Sequence, residues 1–485
     1  MFLCFLIVYM QRKFVVNLLF LFAINLIVKP FWIFGIDRTV QNTLNSEVYG
    51  EYFVLFNVSL LFNILLDLGL TGYNTRSIAQ NAALLKERFP SIFIIKLILA
   101  LGYFAATFIF AYSNGYNNER VQLLFWLAVN QTLVSFIQFI RSNFAGLHKY
   151  ALDSVFSVLD KVLMIVFCSY LLWFQNDYTF TVYLFVWAQT LSYILVFIAG
   201  LILFFFVAKP LRFSFKDISI IQNIKNTLPY ALLVITMTFY YRIDSVMIDQ
   251  LLPQGEQEAS VYAQSYRLMD AFSMIGVLFA GLLLPMFSIQ IERKENIARL
   301  LTTSFTLIFL PAFALVVFTV VNANEILTLL YTYNPAQGPF VLQYLMWCFL
   351  FISGTYIFGT LLTANGSLKT LNTIAITGLI LNVALNYYLI PKTGAIGAAQ
   401  ASLFTQLLVV VWQVISVKKI FNYRFPVRTV ATLFIYSFLI VVFIVFTKNY
   451  LSLIYQLSGL AILALLLIFG LRIVSINDLK ILKEK

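Results

Sequence analysis

The sequence predicts an all-α integral membrane protein, and three observations carry that prediction: its composition, the recurrence of apolar runs of span length, and the placement of basic residues between those runs. Of 485 residues, 61% are hydrophobic and only 11% charged, with a mean hydropathy of +0.91, against roughly 25% charged residues in soluble domains. Runs of about 20 apolar residues, the length that crosses the hydrocarbon, recur along the whole chain. Helices rather than open sheets follow, because backbone groups in hydrocarbon must be satisfied within the protein.

Reading the runs against their polar punctuation gives about fourteen transmembrane helices, at 14–35, 52–74, 91–112, 121–146, 156–174, 181–207, 228–252, 261–288, 300–322, 341–364, 370–390, 395–417, 429–447 and 451–472. The first opens behind Arg12 and Lys13; the third and fourth are separated by SNGYNNER, and the fourth stops at GLHKY. The sixth ends at the basic stretch KPLRFSFKDISIIQNIK, the longest connection. The start MFLCFLIVYMQRKF has its charges behind its apolar run and so lacks the basic beginning of a secretory signal. Translation from Met1 and from Met10 are both compatible with it.

The net charge of +12 raises nucleic acid as a partner. The 32 basic residues instead follow the membrane rule that Lys and Arg gather on the cytoplasmic side. Beside the termini and alternate loops stand 24 of them, while the opposite loops hold four, Arg38, Arg120, Lys392 and Lys448, and four lie within spans, Lys29, Lys96, Arg242 and Arg267. That alternation predicts cytoplasmic termini and no nucleic-acid partner. Cys4, Cys168 and Cys348 each sit in apolar sequence, which predicts packing rather than a disulfide or zinc framework. No cofactor or metal motif is present, and no Walker sequence for direct use of ATP.

The chain also repeats itself. FGIDRTVQ (34–41) followed by VYGEYF (48–53) parallels YRIDSVMI (241–248) followed by VYAQSYR (261–267), and AQTLSYILV (188–196) parallels AQASLFTQLLVV (399–410). These matches fall in the first and seventh spans and in the sixth and twelfth, which predicts two six-helix lobes related by a pseudo-twofold along the membrane normal. The expected domains are an N-lobe at 12–208, a basic cytoplasmic linker at 209–227, a C-lobe at 228–420, and two C-terminal helices with a cytoplasmic tail at 421–485.

LNVALNYYLIPKTGAIGAAQASLFTQ (381–406), VYGEYFVLFNVSLLFNILLDLGL (48–70), YYRIDSVMI (240–248) and YRLMDAFSMIGVLFAGLLLPMF (266–287) resemble the polysaccharide (O-antigen/oligosaccharide-lipid) flippases of the multidrug/oligosaccharidyl-lipid/polysaccharide exporter superfamily. The fourth stretch also looks like the eighth helix of the lipid II flippases. The resemblance covers about residues 14–472 in order. It implies a central cavity, alternating access, and movement of undecaprenyl-pyrophosphate-linked oligosaccharide across the bacterial inner membrane for surface polysaccharide such as lipopolysaccharide. It implies a lipid-linked oligosaccharide and membrane lipids as partners, with a polysaccharide polymerase or chain-length regulators beside them. It also carries cavity arginines onto Arg242 and Arg267, with Lys29 or Arg38 as the counterpart on the first helix.

Residue chemistry bears on each of these positions. Arg242 lies about two residues, ~3 Å, from the centre of its span, where a cation costs about 2.5–3.5 kcal/mol on insertion scales unless it meets a partner or water. Asp249, seven residues on, shares its face about 10 Å away, while Asp244 points almost opposite and suits an interhelical contact. Arg267 has Asp270 at the i,i+3 spacing that permits a local pair. Lys29 is read as a cavity cation or as a snorkelling side chain, Lys96 as a snorkelling anchor five residues into its span. Asp67, Asp160 and Asp244 are candidates for ion coupling. His148 reads as an interfacial residue. Tyr240, Tyr241 and Tyr266 are offered for stacking on sugars and Tyr262 for the aromatic belt.

Two other functions fit the sequence at lower resolution. A cation-coupled drug exporter of the same superfamily needs carboxylates at the deepest point of its cavity. A membrane polymerase or glycosyltransferase needs a substantial outer loop, and the outer loops here are short. Reporter fusions test the topology: a reporter active only in the cytoplasm is expected to function at the C-terminus and to fail at residue 116, and the reverse pattern would overturn the orientation.

Overall fold

The computed structural model describes residues 24, 25, 27–174, 179–207 and 219–471 and is helical throughout, with no strand among them. Cys4, Met1, Met10, Arg12 and Lys13 lie outside the described residues. Helix α1 (27–43) passes through a π-helical stretch at Trp32–Asp37 before ending at Thr43. The second span is α2 (Ser46–Leu61) and α3 (Leu70–Gln80), joined through a 3-10 turn at Asn63–Leu66. Then follow α4 (Leu85–Ser113), α5 (Asn118–Gly146), α6 (Tyr150–Phe156), α7 (Leu159–Ser169), α8 (Val182–Val207) and α9 (Ser219–Leu251). The rest are α10 (Gly255–Glu292), α11 (Ala298–Val321), α12 (Ala323–Leu330), α13 (Gly338–Ala364), α14 (Leu368–Thr393), α15 (Ala395–Phe421), α16 (Val427–Thr447) and α17 (Leu453–Gly470).

Among the described residues, 11 helical segments are long and apolar enough to cross a membrane, or 12 when the bent pair α2 and α3 counts as one. Two of the expected fourteen spans do not enter this number. The first span falls partly outside the described residues, and α17 offers only the shorter apolar stretch Leu453–Ile468. The protein is a multi-pass membrane protein. Of the linker expected at 209–227, 209–218 lie outside the described residues and 219–227 form the first turns of α9.

Helix starts follow local chemistry. Asn45 and Asn117 accept hydrogen bonds from the Val48 and Arg120 amides, and Glu47 and Glu119 in the first turns complement the positive helix end. At the far end of α5, Lys149 N–H returns to Phe144 O while His148 takes φ of 58°, a left-handed stop exposed to solvent.

Two compact units divide the chain, Met1–Val246 and Met247–Lys485. In the first, α5 is the packing centre, touching α2, α3, α4 and α8. Phe89 stacks on Phe204 and Phe139 with ring centroids 4.0 and 5.1 Å apart. Polar side chains join helices as well: Asn74 donates to Ser142 Oγ and Asn143 Oδ1, and Asn63 to Gln131 Oε1. In lipid, where helices gain nothing from leaving one apolar medium for another, such bonds and close packing hold them together.

The second unit is built around α13, packed against α10, α11 and α15. Helices α16 and α17 dock on α11 through Leu310, Val317, Tyr436, Ile440 and Leu460. A polar knot closes this end: Asn322 donates to Gln456 Oε1 at 2.9 Å, and Gln456 Nε2 donates to Ile444 O at 2.8 Å.

The turn from α9 into α10 needs a glycine. A Cβ on Gly255 would stand 2.5 Å from both Cα and O of Asp249, backbone atoms that cannot swing aside. Gly255→Ala is expected to cost about 1–3 kcal/mol, as overpacking typically does. A lowered Tm of the purified protein would show this, whereas an unchanged Tm would mean that the turn relaxes freely.

Candidate functional site

The first unit gathers charge and aromatic rings around α1. Because this helix runs on to Thr43 rather than stopping near 35, Lys29 lies far from its C-terminal end and Arg38 is helical rather than part of a loop. Electrostatically Lys29 falls among Lys161, Asp160 and Arg141, so it belongs to a cluster of charges rather than standing alone at an interface. Arg141 Nε donates to Asp153 Oδ1 at 2.8 Å.

Lys161 is the residue that sequence reading missed, having been counted with the loop residues. It lies on α7, within a helical run, Tyr150–Phe174, that is apolar enough to cross the membrane. Its Nζ sits 5.4 Å from the ring centroids of both Trp32 and Tyr193, donates to Tyr193 Oη at 3.3 Å, and lies 3.5 Å from Asp160 Oδ2. An ammonium between two rings gains from their negative faces. The detectable signal was Asp160-Lys161 embedded in an apolar run, VLDKVLMIVF (158–167).

Aromatic residues extend this surface. Trp32 stacks on Phe185 at 6.0 Å, Tyr52 meets Phe185 edge-on at 5.2 Å, and Gln189 Nε2 donates to Tyr52 Oη at 3.3 Å. Buried Asp37 accepts a hydrogen bond from Tyr49 Oη at 2.9 Å, beside the half-buried Arg38, whose Nε is buried without a hydrogen-bond partner.

Arg242, on α9 in the same unit, is half-buried and donates from Nη1 to Asn57 Oδ1 at 3.4 Å. Asp244 is 1% exposed, and Asp249 is half-buried. Tyr240 and Tyr241 lie with ring centroids 4.6 Å apart.

Asp67 and Lys96 are brought together. Lys96 is not a snorkelling anchor: it is 1% exposed and its Nζ donates to Asp67 Oδ1 at 2.8 Å and Leu66 O at 2.9 Å. The helix that carries it begins at Leu85 instead of 91, so the side chain lies eleven residues in, too deep to reach the interface.

In the second unit, Arg267 and Asp270 are both half-buried on α10. Tyr262 and Tyr266 stack at 5.7 Å and are 1% and 4% exposed, so Tyr262 packs inward instead of joining an aromatic belt. At the start of α10, Glu258 Oε2 accepts from the Ala395 amide at 2.9 Å and Oε1 from Gln337 Nε2 at 2.6 Å. Its carboxylate thus ties three helix beginnings beside an open cavity of about 640 Å³ lined also by Gln254, Lys392 and Thr393.

Cys168 and Cys348 are free and buried, and His148 Nδ1 lies 2.8 Å from Tyr150 Oη. Among the described residues no group of three or more His, Cys, Asp or Glu is placed to hold a metal.

Helices of span length recur through both units and define a class: a multi-pass membrane protein. Residues 14–291, more than half of the chain, match the polysaccharide biosynthesis protein family, and the chain belongs to that family. Its fold is shared with the lipid II flippase MurJ in an inward closed conformation, at a TM-score of 0.67 and 13% identity over 91% of this chain and 97% of that one. It is also shared with an inward-facing multidrug resistance MATE family transporter of the MOP superfamily (TM-score 0.60, 15% identity, 80% and 94% covered). A MOP superfamily transporter from Pyrococcus furiosus is similar too (TM-score 0.58, 15% identity, 83% and 94% covered). No curated protein matches the chain in sequence. The structures it resembles are transporters and a flippase, not enzymes.

Arg242 is the position to test first. Arg242→Ala tests whether this half-buried cation serves a cargo: membrane abundance is expected to stay within about twofold of the parent while surface polysaccharide is lost. Unchanged polysaccharide would remove Arg242 from the site.

Proposed function

We propose that this protein is a flippase that carries undecaprenyl-pyrophosphate-linked oligosaccharide outward across the bacterial cytoplasmic membrane by alternating access, with both termini in the cytoplasm. One observation supports this reading above the others: cationic side chains, Lys29, Lys161, Arg141 and Arg242, lie on helices of a unit that also offers Trp32, Tyr52 and Tyr193. Membership of a polysaccharide biosynthesis family gives the cargo class its context.

Each part of such a cargo has a counterpart. Arginine holds its proton in a poor dielectric and presents paired donors, so Arg242, with Arg267 and the first-helix pair Lys29 and Arg38, suits the pyrophosphate. Aromatic faces suit sugar rings. The membrane potential, negative inside, favours outward movement of an anion by about 2.3 kcal/mol per charge per 100 mV, so a doubly charged headgroup is driven without ATP.

A cation-coupled drug exporter of the same superfamily is the second reading. It rests on carboxylates: Asp67 and Asp160 are each engaged by a lysine of this chain, and Asp244 is 1% exposed. A polymerase or chain-length regulator is the partner that this function calls for on the outer face.

Deletion of the gene followed by lipid extraction tests the proposal. Complete undecaprenyl-linked units are expected to accumulate on the cytoplasmic face. Arg267→Lys is expected to restore partial export and Arg267→Glu none. Accumulation of incomplete units would point to a transferase instead, and equal rescue by both variants would remove Arg267 from phosphate contact.

A further inference from the structure

The second span is broken where an α-helix would otherwise continue. Its segments Ser46–Leu61 and Asn63–Gln80 meet at 49°, and within the second, just before α3, Leu68 and Gly69 take φ of 46° and 85°. Breaking a helix frees carbonyl oxygens that lipid cannot satisfy, and here one of them, Leu66 O, is answered by side chains from other helices. Leu66 O points at Lys96 Nζ, 2.9 Å away, and also accepts from Ser135 Oγ at 3.1 Å. Asp67 Oδ1 stands 2.8 Å from the same Nζ and accepts from the Thr71 hydroxyl. The Thr71 amide lies 3.3 Å from both carboxylate oxygens and fixes the carboxylate over the start of α3.

A backbone carbonyl at a helix break, a carboxylate and neighbouring hydroxyls are the ligands by which discontinuous membrane helices hold monovalent cations. In this protein the positive charge at that point is covalently attached. The ammonium of Lys96 reaches in from α4, 1% exposed, and Asp67 is the carboxylate that neutralises it. We propose that the break in the second span is a monovalent-cation site whose resident is the chain's own Lys96 ammonium, which pins the bend without an exchangeable ion.

The proposal changes the role of Asp67 from an ion-coupling carboxylate open to the medium to the permanent counter-charge of an internal cation. It also separates Lys96 from an ordinary buried ion pair. An ion pair broken on one side leaves an uncompensated buried charge; a cation site that has lost its tethered occupant in addition accepts a small cation in its place, saturably and through the same carboxylate. The inference concerns the bend alone and stands whatever cargo the protein carries.

The test uses the full-length protein in detergent, with Tm measured in choline, sodium, potassium and methylammonium chloride at one ionic strength. The parent is expected to give the same Tm in all four. Lys96→Ala is expected to have a lower Tm in choline that rises saturably with sodium or methylammonium. Adding Asp67→Asn to Lys96→Ala is expected to abolish that rise. A Lys96→Ala protein whose Tm is the same in every salt would overturn the proposal, as would a rise that persists without the Asp67 carboxylate. Where Lys96→Ala fails to accumulate, the parent decides: a saturable sodium-dependent rise in its Tm, lost in Asp67→Asn, would mean that the site exchanges ions and that Lys96 is not its resident.

Discussion

Every backbone donor and acceptor within the hydrocarbon must find its partner inside the protein, and the rest of the architecture follows from that constraint. It makes the chain helical from α1 to α17 and turns each departure from regular helix into a site with its own partners. Where the second span breaks, Lys96 and Ser135 supply donors to Leu66 O. Where α14 gives way to α15, Glu258 receives the Ala395 amide. Where α11 ends, Gln456 and Asn322 bond to one another and Gln456 reaches back to Ile444 O. None of these side chains is decoration; each answers for a helix end or break that lipid would leave unsatisfied.

Charge obeys a related rule. Lys161 is held between Trp32, Tyr193 and Asp160, Lys96 against Asp67, and Arg242 against Asn57. These environments differ in a way that bears on function. Lys96 is almost wholly enclosed, and its charge is spent on the bend, while the Lys161 side chain keeps 23% of its surface open. A cation that retains exposure among aromatic rings is available to a ligand; one that is enclosed with a carboxylate is part of the frame. That contrast separates the partly open Lys161 from the enclosed Lys96.

The close approach of helices in the second unit shows the same economy. Gly276 lies against the Tyr356 ring and Gly354 against Val410, so a Cβ at either position would meet a side chain at 2.3 or 2.7 Å. Small residues at these crossings let helix backbones come near enough for dispersion to hold them, in a medium that provides no hydrophobic drive between helices.

Much of the helical plan was legible in the sequence, because hydropathy and the punctuation of loops act locally. The runs that became α4, α5, α8, α13 and α15 are visible as apolar stretches, and Arg242, Asp244 and Arg267 stand out as charges within them. Helix lengths and partners were not legible. That α1 continues past residue 35 and α4 starts at Leu85 decided the depth of Lys29 and Lys96, and so the environments in which they lie. Lys161 escaped notice since its neighbours Trp32 and Tyr193 are distant in sequence. The sequence by itself determined a helical membrane protein and the charges it must accommodate, because transfer to lipid depends on each segment's own composition. Which of those charges is enclosed and which stays open was decided only by tertiary structure, because the cost of a buried cation is settled by partners that come from other helices.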